Sequence, residues 1–367
     1  MRILLTVDAV GGVWQYGLDL ARGLAERGAE PVLAVLGPAP DAAQRAEAAA
    51  ISGAELVETR LPLDWLCDGP TPVLAAGAAI GELASDVGAD LLHLNMPTLA
   101  AGMTTRLPTV AATHGCVATW WEAANPGVPL APEYHWHREA MSNGLRAVDR
   151  LVAPTLSYAR AVARHYGLAQ VPQVIANGRS PLVDAPAGAL HDRVLTVGRL
   201  WDRVKQASLL DRVAGRIAVP FDAAGAVTGP HGERAELRHL HPLGQLDPAA
   251  LGRQLAARPV FVSAASFEPF GLAVLEAASA RCALVLSDID SFRELWDGAA
   301  LFVAPDDEDG YVAAIDALIG DTARRLELGD AARRRAARYT PAAMAEATLA
   351  LYAGLLGAAA LPATVAA

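Results

Sequence analysis

The stretch Glu268-Pro-Phe-Gly-Leu-Ala-Val-Leu-Glu276 decides how the second half of this 367-residue chain folds. The apolar run 259–263 before it predicts a buried parallel strand, and the apolar spacing after Gly271 predicts a helix. A helix N-terminus at the carboxyl edge of such a sheet presents N–H groups and a positive dipole end, which suit a phosphate. Two carboxylates beside it predict a ligand that carries hydroxyl groups as well. A solvated helix start with stabilising acids is the alternative interpretation.

The basic side chains point to the same region, because Lys205 is the only lysine in the chain. It follows Arg199 by six residues, and Arg199 comes directly after a predicted strand that ends at Gly198. Arginine offers a planar fork for phosphate oxygens and lysine a compact charge, so the two together could clamp a diphosphate. A lone lysine in an arginine-rich chain could also be accidental, but its coincidence with the paired carboxylates favours a binding site.

Composition narrows the function classes. The formal net charge of −10 disfavours nucleic acid and anionic lipid as primary partners. Hydrophobic residues make up 53% of the chain, but no run of about 18 apolar residues predicts a membrane span. Residues 1–8 predict a buried strand rather than a signal peptide. Three cysteines without a Cys-x-x-Cys pair favour a reducing cytoplasm over disulfides or zinc.

Strand and helix patterns alternate through both halves of the chain. In the first half, strands are predicted at residues 3–7, 32–36, 90–94, 109–113, 150–153 and 173–176. The alternation starts again at 194–197 and continues through 260–263, 283–287 and 300–303. Glycine and proline near 167–172 and 177–188 indicate a hinge. The pattern predicts an α/β fold with two Rossmann-like domains and parallel sheets.

These motifs resemble the retaining nucleotide-sugar glycosyltransferases of the GT-B fold, family 4, over nearly the whole chain. The resemblance is carried by Gly198-Arg199, Lys205, Glu268, Glu276, Arg293-Glu294-Leu295, Asp297-Gly298-Ala299, Gly11-Gly12, Asp90 to His93, His114-Gly115 and Asn177-Gly178. One departure is Arg281-Cys282-Ala283, where the family usually has Gly-x-Pro, so the loop there is expected to differ in shape.

The resemblance implies two domains with a cleft between them. It assigns 1–172 to an N-terminal acceptor domain, 173–340 to a nucleotide-sugar domain, and 341–367 to a C-terminal helix that packs back on the first domain. The implied activity is metal-independent, retaining transfer of a hexose from a nucleotide-sugar, most simply a UDP-sugar, to an acceptor hydroxyl. The donor is a substrate, and no cofactor is implied.

The family pattern also implies roles for individual residues. Catalytic roles fall on His114, Arg199, Lys205 and Glu268. Glu268 would contact the donor sugar, Glu276 the ribose, and the two cations the diphosphate. The remaining donor contacts would be Gly11, Gly12, Gly198, Leu243, Gly244, Phe270, Gly271, Leu272 and Ala273. Aromatic rings stack well on sugars, so the expected acceptor contacts are Trp14, Tyr16, Trp120 and Trp121.

Other site types have weaker support. The first turn contains Gly11-Gly12 without the Gly-x-Gly-x-x-Gly pattern, which argues against a nicotinamide enzyme. The pairs His135/His137 and His239/His241 share a face only in a strand, and residues 132–147 look helical, so no metal site is predicted. His114 follows a predicted strand and could be an ordinary edge residue instead of a sugar contact.

Two other functions stay open at this point. A sugar-nucleotide epimerase of the same fold would consume its donor without an acceptor. A non-catalytic nucleotide-sugar-binding subunit would bind a donor without turning it over. The base, the sugar, and the small-molecule or glycan acceptor cannot be read from the fold.

Overall fold

The computed structural model describes residues 1–183 and 190–357. The chain divides into two compact units: unit 1 is Met1–Arg179 with the segment that begins at Thr340, and unit 2 is Ser180–Tyr339. Within the described residues each unit contains one parallel sheet with helices. The predicted α/β fold with two Rossmann-like halves is therefore confirmed. The domain boundaries at 172 and 340 stay a prediction, and residues 184–189 of the hinge and 358–367 of the C-terminal segment lie outside the described residues.

The sheet of unit 1 is built from short apolar segments in the order β3-β2-β1-β4-β5-β6-β7. Its strands are β1 (Arg2–Asp8), β2 (Glu30–Leu36), β3 (Glu55–Glu58), β4 (Leu91–Leu94), β5 (Thr109–Ala112), β6 (Arg150–Ala153) and β7 (Gln173–Val174). Leu4 pairs with Val32 on one side and Leu92 on the other. Separate apolar clusters cover the two faces of β1, with Ile3, Leu5 and Val7 in one and Leu4 in the other, so the strand is apolar without alternation.

The helices of unit 1 connect these strands along the chain. They are α1 (Gly12–Ala25), α2 (Ala42–Ala49), α3 (Pro70–Asp86), α4 (Val117–Ala124), α5 (His135–Ala147) and α6 (Leu156–Tyr166). Local sequence sets their ends. Helix α6 begins after Thr155, whose hydroxyl accepts a hydrogen bond from the backbone N–H of Tyr158, and ends at Gly167 with φ 58°.

Unit 2 repeats the arrangement with the strand order β10-β9-β8-β11-β12-β13. Its strands are β8 (Val194–Val197), β9 (Phe221–Ala224), β10 (His241–Gly244), β11 (Val260–Ser263), β12 (Leu284–Ser287) and β13 (Leu301–Val303). Its helices are α7 (Ala207–Ala214), α8 (Pro248–Ala256), α9 (Leu272–Ser279), α10 (Asp290–Trp296), α11 (Glu308–Gly320) and α12 (Thr322–Ala336). Because all strands run the same way, the loops after β8 and β11 meet at one edge of the sheet.

A final helix, α13 (Pro341–Leu356), belongs to unit 1 and packs against α1. Ala345, Leu349 and Tyr352 fall at helical spacing and are fully buried. The helices approach closely because Gly23 has no side chain: a Cβ there would lie 2.7 Å from the Cβ of Ala345. The resemblance implied this helix within 341–367, of which residues 358–367 lie outside the described residues.

The chain leaves and re-enters unit 1 at neighbouring points. A Cβ added at Gly178 would lie 2.2 Å from the carbonyl oxygen of Thr340, so the two backbones touch there. The backbone N–H of Gly178 also lies 3.2 Å from the Met344 sulfur. Nearby, the Arg179 guanidinium forms a buried ion pair with Asp19 at 3.0 Å. These contacts fix residues 177–179 to α1 and α13.

None of the helices in the described ranges is long and apolar enough to cross a lipid bilayer.

Candidate functional site

Three glycines bring the strand ends of unit 2 together at its carboxyl edge. The Gly198 N–H donates to the Ala224 carbonyl at 3.0 Å, and the Gly225 N–H donates to the Gly244 carbonyl at 2.7 Å. Gly225 has φ 134°, and a Cβ there would lie 1.8 Å from the Gly198 carbonyl oxygen. Only glycine fits at 225, which keeps the loops after β8, β9 and β10 close. Sequence reasoning named Gly198 and Gly244 and missed Gly225, which ends its strand in the same way.

Arg199 is held at this edge by a local ion pair. Its Nη2 lies 2.8 Å from Asp202 Oδ2, and its guanidinium stacks over Trp201 at 5.6 Å from the ring centroid. The Asp202 side chain is 2% exposed, whereas that of Arg199 is 52% exposed. The guanidinium is thus oriented from one side and open to a ligand on the other. Asp202 is a second residue that sequence reasoning missed.

Lys205 and Glu268 form an ion pair with each other. Lys205 ends a short 3₁₀ turn that starts at Arg203, and its Nζ lies 2.5 Å from Glu268 Oε2. Both side chains are about four-fifths buried, which strengthens the attraction relative to a surface pair. The stem of Lys205 also packs over Gly198, at 3.8 Å from where a Cβ would stand. The structure therefore places the single lysine in direct contact with one of the two carboxylates that the sequence had indicated separately.

The turn that carries Glu268 ends in a left-handed glycine. Gly271 has φ 89°, and a Cβ there would lie 3.2 Å from the Phe292 ring and 3.3 Å from Glu268 Cγ. The hydroxyl of Ser291 donates a 2.5 Å hydrogen bond to the Glu268 carbonyl and holds the turn. Helix α9 follows at Leu272, so the N–H groups of its first turn lie beside the ion pair.

The other residues of unit 2 that the sequence predicted as donor contacts lie in α9, in the turn before it and at the end of β10. Phe270 is buried and packs edge-on against Tyr339, with ring centroids 5.7 Å apart. Glu276 lies in α9 and is 8% exposed. Leu243 and Gly244 end β10, and Gly244 has φ 69°. Nothing in these contacts tests the roles that the family pattern implies for them.

In unit 1, His114 lies two residues after β5 and is held by Asn95, which directly follows the neighbouring strand β4. Its Nε2 lies 2.9 Å from Asn95 Oδ1, and the Tyr16 ring tilts over the imidazole at 4.3 Å. Burial lowers the pKa of His114 to about 4, so the ring is neutral at physiological pH. Asn95 is a third residue that sequence reasoning missed.

A second histidine lies deeper in the same sheet. His93, in β4, is fully buried, and its Nδ1 lies 2.6 Å from the Tyr352 hydroxyl of α13. Its Nε2 lies 3.5 Å from the Tyr16 hydroxyl. Burial, with a smaller contribution from His114, lowers the pKa of His93 to about 3. Burial likewise raises the pKa of Tyr16 above its usual range, so all three groups are uncharged.

Neither the backbone conformation nor a close contact within the described residues requires glycine at position 11. Gly11 has φ −153°, which any residue adopts, and a Cβ there would meet nothing within 4 Å. Both residues are exposed: Gly11 directly precedes α1 and Gly12 is its first residue.

The predicted acceptor aromatics differ in exposure. Trp14 is 1% exposed in the core of unit 1, and its Nε1 lies 3.3 Å from Glu47 Oε2. Tyr16 is 3% exposed. Trp120 and Trp121, both in α4, are partly exposed and pack edge-on with centroids 6.4 Å apart. The Trp121 N–H donates to the carbonyls of residues 128 and 129, and its ring also packs against Tyr134 with centroids 5.6 Å apart.

The two histidine pairs have separate partners. His137 Nε2 lies 3.1 Å from Asp64 Oδ2, while His135 Nε2 lies 3.0 Å from the Leu130 carbonyl oxygen. His241 Nδ1 lies 3.0 Å from Asp222 Oδ1. Across the part of the chain that the structure describes, no three His, Cys, Asp or Glu side chains are grouped so that they could hold a metal ion.

Comparisons with known proteins agree with this geometry. Residues 10–181 match the sequence model of Glycosyltransferase Family 4, and residues 191–321 match that of Glycosyl transferases group 1. The two matches together span most of the chain. A phosphatidyl-myo-inositol mannosyltransferase from Mycolicibacterium smegmatis is 26% identical over 355 residues, covering 90% of this chain and 87% of the relative.

Solved structures share the fold. Sucrose-phosphate synthase from Thermosynechococcus elongatus has a TM-score of 0.80 at 18% identity, covering 98% of this chain and 100% of that one. Anabaena Alr3699/HepE in complex with UDP-glucose has a TM-score of 0.74 at 17% identity, covering 96% and 100%. The chain therefore belongs to the family 4 and group 1 glycosyltransferases, and is a hexosyltransferase-type enzyme with the two Rossmann-like domains of the GT-B fold.

Proposed function

We propose that this enzyme transfers the sugar of a UDP-sugar to an acceptor hydroxyl, with retention at the anomeric carbon and without a metal ion. The observation that carries the proposal is the Lys205–Glu268 ion pair beside the N-terminus of α9. A cation, a carboxylate and unpaired helix N–H groups at one sheet edge match a ligand that has phosphates and sugar hydroxyls. Unit 2 is thus the donor domain in this proposal, and unit 1 the acceptor domain.

The diphosphate binds Arg199 and Lys205. Negative charge develops on the leaving diphosphate as the glycosidic bond breaks, and two fixed cations stabilise it most in the transition state. The N–H groups from Phe270 to Ala273 add the positive end of α9. The half-exposed guanidinium of Arg199 supports this role, because Asp202 orients it and leaves one side open.

Donor binding changes the partner of Lys205. With no ligand, its charge is balanced by Glu268 at 2.5 Å. A phosphate oxygen replaces the carboxylate, which releases Glu268 to accept a hydrogen bond from the donor sugar. The pair keeps both side chains in the site beforehand, so little conformational freedom is lost on binding. Glu276 then holds the ribose, and Leu243 with Gly244 borders the base.

Unit 1 supplies the other contacts of the reaction. His114 is neutral and accepts a hydrogen bond from a hydroxyl of the donor sugar. Gly11 and Gly12 approach the donor with their backbone, a role supported by the open space around Gly11. Trp120 and Trp121 offer partly exposed ring faces to an acceptor, while Trp14 and Tyr16 would need to move to do so.

Retention follows when the acceptor attacks from the face that the diphosphate leaves. In this scheme the acceptor oxygen forms the new bond to the anomeric carbon, the bond to phosphate oxygen breaks, and the departing phosphate takes the hydroxyl proton. The alternative, a double displacement through an enzyme nucleophile, gives the same stereochemistry.

The comparisons supply the donors to test. Anabaena Alr3699/HepE was solved with UDP and with UDP-glucose, and the Mycolicibacterium relative is a mannosyltransferase.

The three cysteines form no disulfide, which supports a reducing cytoplasmic location.

The proposal is tested by thermal shift and turnover with UDP-, GDP-, ADP- and TDP-sugars. A true donor raises Tm according to its affinity. With it we expect sugar transfer that persists in excess EDTA, and a product whose anomeric configuration by NMR matches the donor. A strict Mg²⁺ or Mn²⁺ requirement would overturn metal independence, and an inverted product would overturn retention. Donor conversion to an epimer without an acceptor would identify an epimerase instead.

A further inference from the structure

Asn95 lies where it can control the chemistry of His114. The two residues follow the paired strands β4 and β5, so their side chains meet at the carboxyl edge of the sheet of unit 1. The Asn95 Oδ1 to His114 Nε2 distance is 2.9 Å. What the histidine can do depends on which of its two nitrogens carries the proton in the neutral ring.

The orientation of the Asn95 amide is fixed by a group that can only accept. Asn95 Nδ2 lies 2.7 Å from the carbonyl oxygen of Thr6, and the Asn95 backbone N–H donates to the Thr6 hydroxyl at 2.8 Å. A carbonyl oxygen has no proton to donate, so the NH₂ group must face Thr6. The Oδ1 atom must then face His114, and rotating the amide would bring two acceptors together at Thr6.

The proton of His114 is placed by the same logic. Oδ1 of Asn95 only accepts, so Nε2 of the neutral ring must be the donor, and Nδ1 keeps its lone pair. Within the described residues Nδ1 has no hydrogen-bond partner. The Tyr16 ring, tilted over the imidazole at 4.3 Å, restrains the ring plane.

We infer that Asn95 is a positioning residue that fixes His114 as the Nε2–H tautomer, so that Nδ1 is presented as an acceptor to a substrate hydroxyl. The role for Nδ1 rests on the proposed function, whereas the tautomer rests on the contacts of Asn95 alone. A ligand without a hydroxyl at this position, such as a deoxy sugar, would leave the lone pair unsatisfied and bind less well.

The tautomer can be measured directly in the free enzyme. Long-range ¹H–¹⁵N correlation of histidine-labelled protein at pH 7 distinguishes the two neutral forms, and His114→Gln identifies the signal. We expect the Nε2–H pattern in the wild type. The Nδ1–H pattern, or an even mixture, would overturn the inference whatever the activity of the enzyme.

Variants of Asn95 separate positioning from folding. Asn95→Ala removes the acceptor, so we expect mixed tautomers and a loss of roughly tenfold in kcat/KM, the size expected for one hydrogen bond. Asn95→Asp keeps an acceptor toward His114, so it should retain the Nε2–H pattern, while its second oxygen meets the Thr6 carbonyl and should lower stability. Its added charge should raise the pKa of His114 and move the acid limb of activity upward, because the titratable neighbours Tyr16 and His93 within the described residues are neutral. Asn143→Ala, an exposed asparagine on α5, is the control.

The outcomes for tautomer and function are distinguishable. Unchanged tautomers in Asn95→Ala would overturn the role of Asn95. A changed tautomer with unaltered turnover of every sugar donor would overturn the assignment of His114 to the donor site, while the structural inference would stand. Asn95→Asp gives a second reading if Asn95→Ala fails to fold.

Discussion

The hydrogen-bonded histidines near the carboxyl edge of the sheet of unit 1 are neutral, whereas the basic side chains at the same edge of unit 2 are charged and partly open to water. His93 is fully buried and bonds to Tyr352 of α13, and the uncharged His114 bonds to Asn95 after β4. In unit 2 the side chain of Arg199 is 52% exposed and that of Lys205 is 18% exposed, and each is held by a carboxylate.

The difference indicates two ways of preparing a site. A network of neutral groups that is satisfied internally fixes geometry, and it changes little when a ligand arrives. Charges paired with one another remain available, because an incoming phosphate offers the cation a better partner. On this view, unit 1 offers a ligand neutral groups in a fixed geometry, and unit 2 offers it charged groups.

The largest effect is expected where unit 1 buries a charge. Arg179 and Asp19 form an ion pair whose side chains are 8% and 1% exposed. Burial raises the pKa of Asp19, against the opposing effects of Arg179 and Arg22, so removing the Arg179 guanidinium leaves the buried carboxylate paired with the partly exposed Arg22 at 3.1 Å. Arg179→Met should lower the free energy of unfolding by about 3 kcal/mol in urea melts.

The matched control is an exposed pair of unit 2. Arg212 pairs with Glu308 at 2.8 Å with a side chain that is 57% exposed. Arg212→Met should cost less than about 1 kcal/mol. Equal losses in both variants would remove the proposed distinction between the units.

Next in size is the loss of the single lysine. Lys205→Ala should reduce kcat/KM at least ~10²-fold, because it removes a cation where leaving-group charge develops and leaves Glu268 without its partner. Lys205→Arg should recover part of the activity, since the planar fork cannot take the same compact position. Arg203→Ala, from the same 3₁₀ turn, is the control. Wild-type kinetics in the alanine variant would exclude Lys205 from the site.

Acid should destabilise the neutral network of unit 1. In the folded protein burial lowers the pKa of His93 to about 3, while in the unfolded chain it is near its usual ~6.5. Between these values the unfolded state binds the extra proton, so stability falls as the pH falls below ~6.5. His93 should account for about 2 kcal/mol of the loss between pH 7 and pH 5.

Urea melts at the two pH values can isolate this contribution. His93→Gln, which does not titrate, should lose correspondingly less stability than the wild type over the same range. An identical pH dependence in both proteins would mean that His93 is charged in the fold or is not buried.

The smallest effect separates the two carboxylates of unit 2. In the proposed site Glu276 holds the ribose in ground and transition states alike, so Glu276→Gln should mainly raise the donor KM, on the order of tenfold. The same proposal places Glu268 nearer the reacting sugar, so Glu268→Gln should mainly lower kcat. Steady-state kinetics with one common donor would give kcat and KM for the two variants. The reverse pattern would exchange their roles.

The elements that position the site were readable from local sequence. The strand at 260–263 and the helix after Gly271 were predicted within a residue, because apolar runs and a glycine turn are local signals. The same signals indicated the strand edges that carry Arg199 and His114. The fold class followed from the repetition of this pattern.

The sequence did not indicate which residues contact these site residues. Asn95 meets His114 only because β4 lies beside β5, and Gly225 meets Gly198 only because β9 lies beside β8. Such contacts depend on strand order, which local periodicity does not contain. The burial of Trp14 likewise depends on which face of α1 meets the sheet, so its aromatic character alone did not indicate its exposure.

The contact of Gly178 with Thr340 has a consequence for how the gene can be rearranged. Because the two backbones touch, unit 2 is an insertion whose ends emerge from unit 1 side by side. A short linker from Arg179 to Thr340 would excise the insertion without stretching the chain or removing α13 from its place on α1. Homologous insertions joined at the same two points would exchange the whole of unit 2 in one step.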